Sequence, residues 1–209
     1  MYLYSRTGHA AHGKELDATA FALEISAKVN SITSLDVRAW VPVYGVPLNT
    51  ITWVAIVEHA ADMAATGDKL LADASYLDML STAPELFEGP IEDSIAEIIT
   101  MYGDHSGDPT FASVVNAQCA AGRIADAMAW GVDIGTHVHS ITGRDGAFGR
   151  PMYGQFGQVT WISLADTAEQ IEAADSAMVA DPGYLERVDQ AGDLFVEGSA
   201  TSLLSRRIA

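Results

Sequence analysis

At 209 residues the chain could form one large domain or two small ones, and its 49 % apolar content is enough for a packed core. A formal charge of −17 would repel a phosphate backbone, which excludes nucleic acid as an expected partner. No run of about eighteen uncharged apolar residues occurs, so no membrane span is expected. Cys119 is the only cysteine and permits no internal disulfide, which fits a reducing cytoplasm. The first residues, Met1-Tyr2-Leu3-Tyr4-Ser5-Arg6, lack the charged start and apolar run of a signal peptide.

In chain order, Tyr2 to Thr7 alternates loosely and reads as a strand. Gly13 to Val29 reads as a helix, with Leu16, Ala20, Leu23 and Ala27 recurring at the spacing of one face. Leu35 to Tyr44 is the second strand, closed by Pro47 and Asn49. Thr50 to Glu58 is the third, rich in β-branched and aromatic residues. A helix from about Ala60 places Met63, Leu70, Ala74 and Leu77 inward, and Ser94 to Tyr102 is the fourth strand. Gly103 to Thr110 is rich in turn formers, with residues 104–110 as a linker. Strands then follow near 111–118, 146–153, 158–165 and 200–207, with helices near 122–139 and 167–190.

The second series repeats the first. Ile51-Thr52-Trp53-Val54 maps onto Val159-Thr160-Trp161-Ile162 at an offset of 108, as do Asp73, Tyr76 and Leu77 onto Asp181, Tyr184 and Leu185. Upstream the offset is 109, carrying Gly13 to Gly122, Asp17 to Asp126 and Tyr44 to Tyr153. One residue is lost in the turn between Gly154 and Val159. The repeats are expected to cover residues 1–103 and 111–209. Asp181-Pro182 combines a helix-capping residue with a proline tolerated at the first helical position. The second helix of each repeat should therefore break there and restart with Tyr184, or with Tyr76 in the first repeat.

The order β-α-β-β-α-β makes an antiparallel sheet with both helices on one side. Ile51 to Val57 carries apolar residues in both parities, so the other side should also be covered. The equivalent sheet of the other repeat is the obvious cover. The expected fold is α+β: two tandem ferredoxin-like repeats forming a pseudo-dimeric α+β barrel.

A strand ending in Trp plus acidic residues, then a helix, then Asp-Pro-x-Tyr-Leu, resembles the dimeric α+β barrel superfamily. Val159 to Asp166 with Asp181-Pro182-Gly183-Tyr184-Leu185 carries the resemblance. The NIPSNAP-like, EthD-like and antibiotic-biosynthesis-monooxygenase-like branches share this pattern. The resemblance implies a pocket between sheet and helices in each half. It implies no single activity, because the superfamily includes cofactor-independent monooxygenases, isomerases, haem proteins and ligand-binding regulators.

Positions shared by both repeats, such as Trp53/Trp161 and Tyr76/Tyr184, are read first as packing residues with a bonded polar tip. Trp53 and Trp161 are also substrate-binding candidates. Tyr44 and Tyr153 are catalytic candidates, as proton donors at a pocket mouth. Histidines differ between repeats and could serve one half only. His9 and His12 precede the first helix, and His139 lies near the end of its counterpart, where a cap is the plainer reading. His137 and His139 are two apart and point to different sides of a helix. Arg6 is the only charged residue of the first strand. It is read as the partner of a carboxylate, and otherwise as a contact for an anionic substrate group.

Motifs for zinc proteases, redox dithiols, P-loops, nucleophile elbows and dinucleotide binding are all lacking. The expected function is binding of a small molecule, and possible turnover as a metal-independent monooxygenase or isomerase of an aromatic or polyketide-like compound. No cofactor is expected. The alternatives are a non-catalytic binding or assembly protein, or a haem protein with one histidine ligand. A homo-oligomer is compatible with either.

Overall fold

The computed structural model describes residues 1–209. The first repeat contains β1 (Tyr2–Ala10), α1 (Glu15–Ile32), β2 (Arg38–Tyr44), β3 (Thr50–Val57), α2 (Asp62–Leu71), α3 (Ala74–Thr82) and β4 (Phe87–Tyr102). The second contains β5 (Phe111–Gln118), α4 (Ile124–Thr142), β6 (Gly146–Pro151), β7 (Gln158–Ala165), α5 (Ala168–Ala180), α6 (Pro182–Gln190) and β8 (Thr201–Arg207). The eight strands form a closed barrel in the order β1-β3-β2-β8-β5-β7-β6-β4. The fold is α+β, built from two ferredoxin-like β-α-β-β-α-β series. No helix is long and apolar enough to cross a membrane.

Two compact units are present: Met1–Glu97 with Ser205–Ala209, and Ile98–Leu204. In the first, β1 pairs antiparallel with β3, placing Arg6 opposite Trp53, and with β4, placing Arg6 opposite Asp93. The chain end joins this unit, with Ile208 N–H donating to the Ala39 carbonyl and packing on the core. In the second unit β5 pairs antiparallel with β7, placing Val115 opposite Trp161. An isolated bridge joins Cys119 to Phe195, as Ala10 joins Phe87 in the first. These registers reproduce the offsets of 109 and 108 read from the sequence.

The break in each second helix forms as expected. Asp181 caps α6, its Oδ1 accepting from the Tyr184 N–H at 2.6 Å, with Pro182 as the first helical residue. Asp73 caps α3 in the same way at 2.8 Å from the Tyr76 N–H. A capping box of Thr167 and Gln170 opens α5.

Several expectations are corrected. The buried face of α1 is Ala18, Phe21, Ala22, Ile25 and Ser26, while Leu16 is 85 % exposed and Leu23 is exposed. This helix is apolar on most sides, so its spacing fits two faces. Small Ala18 and Ala22 win because they let the helix approach the sheet closely. In α2 and α3 the inward residues are Thr66, Leu70, Tyr76, Met79 and Leu80, and Ala74 and Leu77 are exposed. The restart at Asp73 rotates the helix face, which a continuous period cannot anticipate. Strand β4 starts at Phe87, seven residues before the expected Ser94, because its charged first half pairs with β1.

Candidate functional site

Strand alternation sorts the residues of each sheet onto two sides. In the first unit, Tyr4, Arg6 and Gly8 share the helix-facing side with Trp53. A β-carbon on Gly8 would lie 3.2 Å from Phe87 and 3.8 Å from Trp53, which fixes that side. Ser5, Thr7 and His9 face the other way. There the Thr7 and Thr52 hydroxyls bond at 3.1 Å and His9 Nδ1 bonds Thr50 Oγ1 at 3.2 Å. The structure thus puts Arg6 beside Trp53 and separates His9 from both.

On the helix-facing side, α1 lies over β2 and β3 and leaves β1 less covered. There the Arg6 guanidinium grips Asp93 with two bonds of 2.7 Å, from Nε and Nη2. The Tyr4 hydroxyl donates to the same carboxylate at 3.0 Å. The Arg6 hydrogen bond holds the Asp93 carboxyl below its ordinary range. Burial, opposed by the Arg6 charge and aided by Asp93, pushes the Tyr4 phenol up to about 12. Arg6 is held more firmly charged by its bond to Asp93. At neutral pH this is a closed ion pair with a neutral phenol beside it. It neither gives up nor takes up a proton. Trp53, across from Arg6, is buried, as are Phe21 and Tyr76, and Trp53 Nε1 donates to the Ala22 carbonyl at 3.5 Å.

The same place in the second unit is built differently. Repeat offsets put Ser113 for Tyr4, Val115 for Arg6 and Thr201 for Asp93. Helix α4 lies over β6 and β7, and α5 over β7, so β5 is again the less covered strand. Val115, on an inner strand and on the helix-facing side, is 39 % exposed. Around it the counterparts of buried residues become half-buried: Trp161 for Trp53, Trp130 for Phe21, and Tyr184 for Tyr76. Trp161 meets Trp130 and Phe195 edge-on, with ring centroids 5.8 Å apart in each case. Its indole N–H is bonded to the Gly131 carbonyl at 2.9 Å, and that of Trp130 to the Arg187 carbonyl at 2.8 Å. Both rings are thus locked, and Phe148 lies tilted at 32° against Trp161 with ring centroids 5.0 Å apart. Burial, aided by Asp175, raises the Tyr184 phenol, which keeps it a neutral donor. The result is an aromatic patch that solvent partly reaches, with exposed Val115 across from Trp161.

The other sequence candidates lie elsewhere. Tyr44 and Tyr153 are exposed at the hairpin ends of β2 and β6, and His12 is exposed in the turn before α1. His139 is in the last turn of α4, its Nδ1 on the carbonyl of Arg144 just beyond the helix at 2.8 Å. Asn30, its repeat counterpart, bonds the Val37 carbonyl at 3.1 Å from the end of α1. His137 bonds Asp181 at 2.7 Å. Val115, Trp130 and Tyr184 were not singled out as a site from the sequence. The signal that could have found them is the exchange of Arg6 for Val115 at one repeat position.

No family pattern and no curated protein matches the chain. Solved structures do. A candidate monooxygenase from Fusobacterium nucleatum subsp. nucleatum ATCC 25586 superposes with a TM-score of 0.75 at 11 % identity, over 100 % of this chain and 92 % of its own. An anthrone oxidase-like protein gives 0.67 at 11 % identity, covering 100 % and 91 %. A mutant chlorite dismutase from Candidatus Nitrospira defluvii gives 0.52 at 10 % identity, covering 99 % and 92 %. At such identities the likeness speaks for the fold. The chain shares the fold of these solved structures, with two ferredoxin-like series in one polypeptide.

Proposed function

We propose that the protein binds a flat aromatic, polyketide-like molecule on the patch of the second unit and oxygenates it without a metal. One observation carries this reading: solvent reaches Val115 on an inner strand, across from half-buried Trp161, which meets half-buried Trp130 edge-on. Such an opening in an otherwise packed sheet-helix layer suits a planar apolar ligand. Edge-to-face aromatic contacts of this kind are worth about 0.5–1.5 kcal/mol each beyond burial.

The anthrone oxidase-like relative in fold suggests a concrete substrate class. In an anthrone the central methylene is acidic because its carbanion is an aromatic phenolate. Reaction with O2 breaks both methylene C–H bonds. One oxygen atom becomes the new carbonyl and the other leaves as water with both hydrogens. Trp161 and Trp130 would hold the rings, and the neutral Tyr184 hydroxyl would donate to the carbonyl oxygen on which negative charge develops. Oxygen uptake with anthrone in EDTA-containing buffer tests this. The expected result is one O2 per anthrone, faster than without protein and slowed at least tenfold by Tyr184→Phe. Uptake no faster than in buffer overturns the oxygenase reading.

A second reading, binding without turnover, has its own support. The shifted groups nearby are held away from neutrality, Tyr184 upward and Asp181 downward, and neither suits proton transfer at pH 7. Ligand binding without oxygen uptake is the outcome it predicts.

A further inference from the structure

The two repeats differ at one place in a way that bears on how many ligands a chain can hold. In the first unit a row of three paired strands reads Trp53, Arg6, Asp93, with Arg6 bonded to Asp93 by two 2.7 Å contacts and Tyr4 bonded to the same carboxylate. In the second unit the matching positions are Trp161, Val115 and Thr201. Three neighbours change exposure in step. Phe21, Trp53 and Tyr76 are buried, whereas Trp130, Trp161 and Tyr184 are half-buried. The exchange of Arg6 and Asp93 for Val115 and Thr201 thus coincides with three differences in exposure.

We infer that the chain holds one open aromatic site, in the second unit, and that the Arg6–Asp93 ion pair steadied by Tyr4 is a built-in plug over the corresponding place in the first. This rests on the reading of the aromatic patch as a ligand site. The plug works by occupancy. A bidentate guanidinium-carboxylate pair is planar and rigid, so it fills the place a ring would take, and a neutral ring offers its charges no replacement partner. Val115 and Thr201 offer neither charge nor comparable bulk.

The test counts sites with N-phenyl-1-naphthylamine, a neutral aromatic dye that fluoresces when shielded from water. Wild type is expected to bind one dye per chain. Val115→Arg is expected to weaken that binding at least tenfold with an unchanged circular dichroism spectrum. The triple variant Tyr4→Ser, Arg6→Val, Asp93→Thr copies the floor of the second unit into the first. It is expected to bind two. Two dyes on wild type, or full binding by Val115→Arg, overturns the plug and leaves the aromatic reading standing. A folded triple variant that still binds one also overturns the plug alone. If the triple variant does not fold, Arg6→Val with Asp93→Thr is counted in its place, with the same two outcomes. No dye on any variant overturns both.

Discussion

Gly131 and Phe148 share one space. A β-carbon on Gly131 would lie 2.7 Å from Phe148 Cε2 and 3.0 Å from Trp161 Cζ2, so only glycine admits the fully buried Phe148 ring. The first unit solves the same contact with Ala22 and Ala39, both fully buried. Volume lost on the helix in one repeat is regained on the strand. The closer helix also brings the Gly131 carbonyl to Trp161 Nε1, at 2.9 Å against 3.5 Å for Ala22 and Trp53.

Gly131→Ala should therefore destabilise the protein by about 1–3 kcal/mol through overpacking, and Phe148→Ala by about 3–5 kcal/mol through a cavity. The double variant recreates the alanine pair of the first unit. It should cost less than the sum of the two, by about 1–3 kcal/mol. Urea denaturation of the four proteins measures the coupling. Strict additivity would mean that the two residues do not share a space.

His137 and Asp181 form, at 2.7 Å, the pair that Lys28 and Asp73 form at 3.1 Å in the first unit. His137→Lys should thus keep most of the stability of the second unit at pH 7, and His137→Ala should lower the melting temperature. Asp181 also caps α6, so Asp181→Ala should lower it further. Melting curves of the three variants decide the order.

Acid should weaken both caps. The Tyr76 N–H, then Ser75 and Lys28, depress the Asp73 carboxyl to about 2, and His137 followed by the Tyr184 N–H lowers that of Asp181. A carboxylate depressed on folding stabilises fully above its unfolded value, about 3.9. That stability is lost as pH falls through the folded value. The urea midpoint should fall between about pH 4 and pH 2, and more shallowly in Asp73→Asn and Asp181→Asn. An equal slope in wild type and variants would remove these two residues from the acid transition.

The Arg6–Asp93 pair closes space and adds little stability. Its side chains are 39 % and 47 % exposed, and ion pairs so open to solvent contribute about 0–1 kcal/mol. Arg6→Val with Asp93→Thr should shift stability by no more than about 1 kcal/mol in urea denaturation, which makes it usable for counting dye sites.

Burial pushes the Tyr4 and Tyr102 phenols up to about 12. In a titration followed at 295 nm, Tyr4→Phe and Tyr102→Phe should match wild type below about pH 11 and lose absorbance only above it. Their stabilising effect has the sign of a raised group. It is intact below the unfolded value, about 10, and is lost as pH rises toward 12. A wild-type absorbance lead already at pH 10 would show these phenols open to water.

Much of the architecture was legible along the chain because strand register and turn chemistry leave local marks. Trp53 and Trp161 keep a fixed frame, since a slip of one residue would turn every side chain to the other face. Asp181-Pro182 marks a helix start because a side-chain acceptor and a missing N–H suit that one position. The face of α1 was not legible. Leu16, Ala20, Leu23 and Ala27 form as good a period as Ala18, Phe21, Ala22 and Ile25, and only contact with the sheet chooses between them. The solvent-open patch was hidden for a similar reason: Val115 in a strand rich in apolar residues reads as core. The pairing of Arg6 with a carboxylate was foreseen, its identity as Asp93 was not, since that depends on the register of β4 against β1.

By itself the sequence determined that two β-α-β-β-α-β series follow one another, where their helices break, and that both sides of the strands are apolar. Those properties are set by neighbours within a few residues. The tertiary structure decided which helix face turns inward, which strand the helices cover less, and hence that Arg6 meets Asp93 in one unit while Val115 is exposed in the other. Exposure is set by residues some ninety positions apart in the chain, and the physical reason is coverage: a side chain is wet or dry according to what lies over it, which no local pattern records.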